Sequence, residues 1–245
     1  MSPAYTECPR CHFRPKSPLP VDEPCPACGI YVYKWKQPVQ PVPAKAWEIE
    51  DTEEETAGGL TAWLAPLPKM SSAALYGRCF AWLLLAAWSV LLIRYNFRNG
   101  EMFCSFMHAI LLTIHEAGHV LLTPFGEWMT ILGGSLFQLA LPLGIGIAFK
   151  VVNRDNFAAA LCLWWAGVSL LDLAPYIYDS LHPQLIMLGG HTGAEGPHDW
   201  IYLLGRQVGK AQRLGALVHG VGSLLAVGAL AWAALVLWRQ RQRAG

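Results

Sequence analysis

From about residue 75 onward the chain is a succession of apolar runs separated by short polar breaks. Five of these runs are near the roughly 20 residues that a bilayer-crossing helix needs. They cover approximately 75–94, 103–123, 128–149, 157–178 and 214–238. The residues before them follow another pattern. Residues 1–36 hold paired cysteines, and residues 37–74 are rich in proline (Pro38, Pro41, Pro43, Pro66, Pro68) around an acidic run from Glu48 to Glu55. That stretch cannot bury enough apolar area to offset its ordering entropy, so it reads as a mobile tether, and its acidic run as a solvated segment. The pattern therefore predicts an all-α polytopic membrane domain of about five transmembrane helices over 75–245. A linker over 37–74 joins it to a small head over 1–36. Between the fourth and fifth runs lies a Gly- and His-rich loop, Leu181 to Gly196. In the stretch after it, Arg206, Lys210 and Arg213 oppose Ile201, Leu204, Val208 and Ala211, which predicts a helix lying along the membrane surface.

Composition sharpens this picture. Of 245 residues, 54% are hydrophobic and only 14% charged, against about 25% charged in an ordinary soluble domain. Mean hydropathy is +0.32. Six of the 17 acids lie in the run from Glu48 to Glu55, leaving eight from Leu75 onward. A soluble globular enzyme is excluded, and a net charge of +1 gives no reason to expect nucleic acid as a partner. The lipid bilayer is the expected partner. No apolar run begins before about residue 75, too far along for a signal peptide. Positive charges near the span ends divide five (Lys69, Arg78, Arg206, Lys210, Arg213) against seven (Arg94, Arg98, Lys150, Arg154, Arg239, Arg241, Arg243). That division slightly favours a cytoplasmic C-terminus. A thiolate-rich head favours a reducing compartment, and with greater weight on the cysteines the expected location is the plasma (inner) membrane, head in the cytoplasm.

The head carries Cys8-Pro-Arg-Cys11 and Cys25-Pro-Ala-Cys28-Gly29. Each Cys-x-x-Cys turn presents two thiolates to one ion, and the hairpin-like separation brings the turns together on a tetrahedral Zn²⁺. Ile30 to Trp35 reads as a strand closing a small ribbon. This array resembles the zinc ribbons. Four thiolates leave no open position, so this zinc is expected to be structural, and so short a head cannot hold a core without it. The ribbon also offers a surface for a protein partner. Cys79, Cys104 and Cys162 lie singly in apolar runs and read as small buried hydrophobes.

The sharpest chemical signal is His115-Glu116-Ala117-Gly118-His119 in the second run. Histidines at i and i+4 share a helical face and can both aim a nitrogen at one metal ion, with Glu116 placed as a general base. Two histidines and a glutamate in hydrocarbon are expensive without partners. A third ligand is needed, and the fourth run supplies Asp172 and Asp179, two helical turns apart. Carboxylates there would neutralise unless they met a cation or hydrogen-bond donors. Pro175 between them can break the helix. His198-Asp199-Trp200, after the Gly-rich loop, either folds back as a lid carrying a further ligand (His198) or oxyanion donor, or simply begins a helix capped by Asp199. His108 shares the face of His115 and reads as a histidine in a helix interface or as an outer partner of the site. Gly133-Gly134-Ser135 and Gln138 in the third run suit close helix approach, with Gln138 a possible cross-helix hydrogen bond.

Over about residues 103–180 the chain resembles the site-two proteases, the intramembrane zinc metalloproteases. These carry His-Glu-x-x-His on one membrane helix and a ligand aspartate on a later one, within Asn-x-x-Pro…Leu-Asp-Gly. The resemblance implies His115 and His119 as zinc ligands, Glu116 as the base, Asp179 as the third ligand and Asp172 at the family's asparagine position. Here the chain departs from the pattern, with Tyr178 for leucine and Ser180 for glycine, as a divergent relative would. The implied reaction is hydrolysis of a peptide bond of a membrane-protein substrate in or next to the membrane, with one structural and one catalytic zinc. The other reading is a non-catalytic membrane scaffold or adaptor, whose histidine cluster holds a structural metal closed by a fourth protein ligand such as His198.

Overall fold

The computed structural model describes residues 4–34, 60–67 and 70–244. The chain divides into two units, 1–57 and 58–245, and each is described by itself. The linker's acidic run lies outside the described residues.

In the head, β1 (Ala4–Tyr5) pairs antiparallel with β2 (Leu19–Pro20). Its two Cys-x-x-Cys turns share one backbone plan. The N–H of His12 donates to Cys8 O and that of Gly29 to Cys25 O, while Cys8 N–H and Cys25 N–H donate to Phe13 O and Ile30 O. Each turn ends on a left-handed residue, Gly29 at φ +72° and His12 at φ +57°. Tyr5, Cys8 and Cys25 form the small core. The strand expected over Ile30 to Trp35 is not formed among the described residues. Tyr31 makes one bridge to Pro24, and Val32–Lys34 coils into a 3₁₀ turn. Pro24 has no N–H to extend a ladder.

The second unit is helical: α1 (Leu60–Trp63), α2 (Ser72–Arg94), α3 (Phe106–Leu122), α4 (Glu127–Val151), α5 (Asn156–Asp179), α6 (Asp199–Leu204) and α7 (Ala211–Ala244). Five helical segments are long and apolar enough to cross a membrane, the last running through α6 and α7. α5 is the hub, packed along α7 and α4 and buried over most of its length. Small residues set the close crossings. A Cβ on Gly167 would stand 2.7 Å from Ala226 N, and one on Gly222 would stand 2.8 Å from Gly167 O. The outer helix faces remain apolar and exposed, as at Leu83, Leu91, Val120, Ile147, Leu224 and Trp238.

Three features differ from the sequence reading. Pro175 does not end α5, which continues to Asp179, because packing against neighbouring helices tolerates the missing hydrogen bond. The stretch expected along the membrane surface is interrupted at Gly205 (φ +48°) and coils as a 3₁₀ segment, Gly205–Lys210, leading into α7. The end of the linker is docked on the helices. Lys150 Nζ donates to Ala62 O (3.0 Å), Asn156 Nδ2 to Ala65 O (2.7 Å) and Trp232 Nε1 to Trp63 O (2.6 Å).

Candidate metal centre

The site begins at the N-terminus of α3, where Ser105 caps the helix by accepting from His108 N–H. His115 and His119, one turn apart, then face α4. The approach of α4 depends on glycines inside and opposite the motif. A Cβ on Gly133 would lie 2.6 Å from Gly118 O, and Gly118 meets Gly133 just as closely. Gly134 fronts the imidazoles, where a Cβ would stand 2.6 Å from His119 Nε2 and from His115 Cδ2.

The third member arrives from the far side of the Gly-rich loop. Asp199, the first residue of α6, places Oδ2 at 3.0 Å from His115 Nε2 and 3.3 Å from His119 Nε2. Its N–H donates to Tyr176 Oη (3.1 Å), which fixes the start of α6 against α5. Asp199 does not cap its helix. His198 occupies the cap position without a side-chain cap bond, and the Asp199 carboxylate turns to the histidines. Sequence reasoning attaches the ligand role to His198 and the capping role to Asp199, because an aspartate at a helix start looks the same in either role.

Hydrogen bonding on the remote side of each ring decides what the near side offers. His119 Nδ1 lies 2.8 Å from Thr130 O, a carbonyl that only accepts, so Nδ1 carries the hydrogen. His115 Nδ1 lies 3.0 Å from Gln138 Oε1. Because Gln138 Nε2 donates to Asp172 Oδ2 (3.0 Å), its oxygen is the end that faces His115, and His115 Nδ1 is also a donor. With hydrogen on Nδ1, each ring in its neutral form presents a bare Nε2 lone pair beside a carboxylate. Three acceptors converging on one point repel each other unless a metal ion or a proton joins them, and histidine ligands of a metal routinely donate their other N–H in this way. The ligating atoms of His115, His119 and Asp199 all lie within 4.8 Å of one another. Four-coordinate zinc with N and O ligands at about 2.0–2.1 Å holds them about 3.3–3.4 Å apart, so the set fits a divalent ion.

The three residues open on a cavity of about 440 Å³, within the range of ligand sites, whose walls include Glu116, Tyr176, His108 and the loop residues Met187 and His191. The other candidate ligands are not in the cluster. Asp172 is buried (4% exposed) and is satisfied by donors, Gln138 Nε2 and His108 Nδ1 (2.8 Å). Asp179 holds the loop, accepting at Oδ1 from Gln184 N–H (2.8 Å) and Leu185 N–H (3.2 Å). His198 stacks on Tyr176 at 4.3 Å, with its Nε2 3.8 Å from Asp179 Oδ2. Burial holds its imidazole below the ordinary value, with Asp179 and Asp199 opposing that effect. A buried carboxylate can be satisfied by a cation or by hydrogen-bond donors, and the sequence alone does not distinguish the two.

In the head, Cys8, Cys11, Cys25 and Cys28 form a second group able to hold a metal. The Sγ atoms of Cys8 and Cys28 are 3.7 Å apart, as are those of Cys11 and Cys25. A tetrahedral ion with thiolates at about 2.3 Å separates them by about 3.8 Å. Burial opposes ionisation of Cys8, but hydrogen bonds from the backbone N–H groups of Cys11 and Arg10 and from the Cys11 and Cys25 thiols together outweigh it and bring this thiol down to about 6.

Comparison of the chain with protein-family models, with curated proteins and with solved structures gave no match.

Proposed function

We propose that this chain is an intramembrane zinc metallopeptidase of the site-two protease type, hydrolysing a peptide bond in or next to the membrane. The observation that carries the reading is the convergence of two imidazole Nε2 atoms and the Asp199 carboxylate on one cavity that Glu116 also lines. The exposed apolar faces of the long helices support insertion in a bilayer, and the four-thiolate head supports a cytoplasmic position for the ribbon.

His115, His119 and Asp199 would hold the ion. Zinc bound there supplies a Lewis acid that polarises a carbonyl and makes water acidic enough to lose a proton near pH 7. Glu116, which lines the same cavity, would accept the proton of the attacking water as its oxygen bonds to the carbonyl carbon, and would pass it to the nitrogen as the C–N bond breaks. A substrate helix must unwind locally first, since its amides are otherwise paired within the helix. The closed, structural alternative required a fourth protein ligand. His198, its candidate, is stacked on Tyr176 outside the cluster, and three protein ligands leave a position open for chemistry.

The test is co-expression with a panel of single-span membrane proteins. Cleavage of at least one is expected with the wild type and absent with Glu116→Gln, which retains its zinc. Cleavage undiminished in Glu116→Gln would overturn the proposal.

A further inference from the structure

We infer that His108, Asp172 and Gln138 form a hydrogen-bonded chain that locks His115 in its metal-binding tautomer, so that Asp172 is a positioning residue. The inference rests on the metal-site part of the proposed function and not on proteolysis. The chain crosses three helices. His108 Nδ1 on α3 meets Asp172 Oδ1 on α5 at 2.8 Å, Asp172 Oδ2 meets Gln138 Nε2 on α4 at 3.0 Å, and Gln138 Oε1 meets His115 Nδ1 at 3.0 Å.

Its direction follows from the donor inventory. The Asp172 carboxylate only accepts, so it draws the NH₂ end of Gln138 towards itself. The amide oxygen must then face His115, and that oxygen also only accepts. Neutral His115 is left with hydrogen on Nδ1 and a lone pair on Nε2, the atom that faces Asp199. Without the carboxylate, the amide can turn over, since its oxygen and nitrogen are nearly equal in size. Its NH₂ would then meet Nδ1, the ring hydrogen would move to Nε2, and His115 would cease to be a ligand.

Burial gives the chain its hold. Gln138 is 1% exposed, Asp172 4% and His115 6%, so little water is available to take over any bond. At the outer end, Phe103 stacks on the His108 ring at 4.1 Å and 11° and fixes its plane. A polar cluster that merely tied the helices together would tolerate either orientation of the amide. A positioning chain does not, and that difference is measurable.

The test is zinc affinity of the membrane site in the purified full chain, by chelator competition, with the four head cysteines intact. Asp172→Leu is expected to weaken zinc binding about 10- to 100-fold, as loss of a ligand's outer partner does. Asp172→Asn is expected to bind within a few-fold of wild type, because its oxygen still receives Gln138 while its amide faces His108, which changes tautomer. Gln138→Glu sets a second carboxylate against Asp172 and is expected to bind weakly. The double variant Gln138→Glu/Asp172→Asn is expected to recover. There the amide introduced on α5 donates to the carboxylate introduced on α4, and that carboxylate still accepts from His115. Should Asp172→Leu fail to fold, this single-to-double comparison decides alone.

Zinc affinity unchanged in Asp172→Leu, or no recovery in the double variant, overturns the inference. If the wild type cleaves while these variants bind zinc as it does, only the positioning chain fails. If the wild type holds membrane-site zinc without cleaving, only the peptidase reading fails. A wild type without membrane-site zinc overturns both.

Discussion

A single methyl group at Gly134 should abolish metal binding at the proposed His115, His119 and Asp199 site while leaving the helices in place. The Cβ of Gly134→Ala would stand 2.6 Å from His119 Nε2 and from His115 Cδ2, where ordinary contacts begin at 3.4 Å. The rings must therefore retreat by at least about 0.8 Å, and His115, whose Nε2 is nearer still, by more. Both are tied by Nδ1 to α4, the helix that carries Gly134, through Gln138 Oε1 and Thr130 O, so retreat breaks those bonds. Metal–ligand distances tolerate about 0.2 Å. Losing an outer partner alone costs about 10- to 100-fold in affinity, so displacing two direct ligands should cost at least about 100-fold. The assay is a cobalt titration of the purified full chain, following the visible absorption of the membrane site after the head has been filled with zinc. Gly144→Ala, on the same helix with nothing within 4 Å of its Cβ, should titrate as wild type. A Gly134→Ala protein that fills the site at wild-type affinity would refute the geometry.

Three further outcomes are expected. Asp179→Ala should keep zinc in both sites but free the amides of Gln184 and Leu185, raising their hydrogen-exchange rates roughly tenfold or more; loss of the membrane zinc instead would make Asp179 a ligand. His12→Gly should slow zinc loss from the head to a chelator, because a left-handed non-glycine residue costs on the order of 1 kcal/mol; faster loss would mean that the contact between His12 and Glu7 outweighs the strain. Backbone and side-chain hydrogen bonds from Thr192 hold the Glu195 carboxyl below its ordinary range. Its contribution to loop order is therefore complete above the unfolded carboxylate value and lost as pH falls through the lower folded value. Exchange across 192–196 should accelerate on that descent in the wild type and not in Glu195→Gln, and equal pH profiles would count against the contact.

Local patterns made much of this legible. Apolar runs of bilayer length marked the five long helices, and cysteine spacing marked the head's ligand group. The i, i+4 histidines were sure to share a face, because helix geometry alone requires it. The third member was hidden, because Asp199 joins the histidines only through a loop whose path depends on tertiary contacts, including Asp179 with Gln184 and Tyr176 with Asp199. Asp172 was misleading for a related reason. Its donors, His108 and Gln138, lie on two other helices, so the sequence offered a buried charge without showing what satisfied it. The glycines at 133 and 134 read as packing, and Gly133 does pack, against Gly118. That the space beside Gly134 is the site itself required the third dimension.

The most direct test of the central claim is zinc content of the purified full chain, wild type beside Asp199→Ala, with Cys8, Cys11, Cys25 and Cys28 intact in both. Two zinc ions per wild-type chain falling to one in Asp199→Ala is the predicted result. It would establish a membrane site completed by the aspartate that the fold brings to His115 and His119. One zinc in each protein, or two in each, would contradict the account.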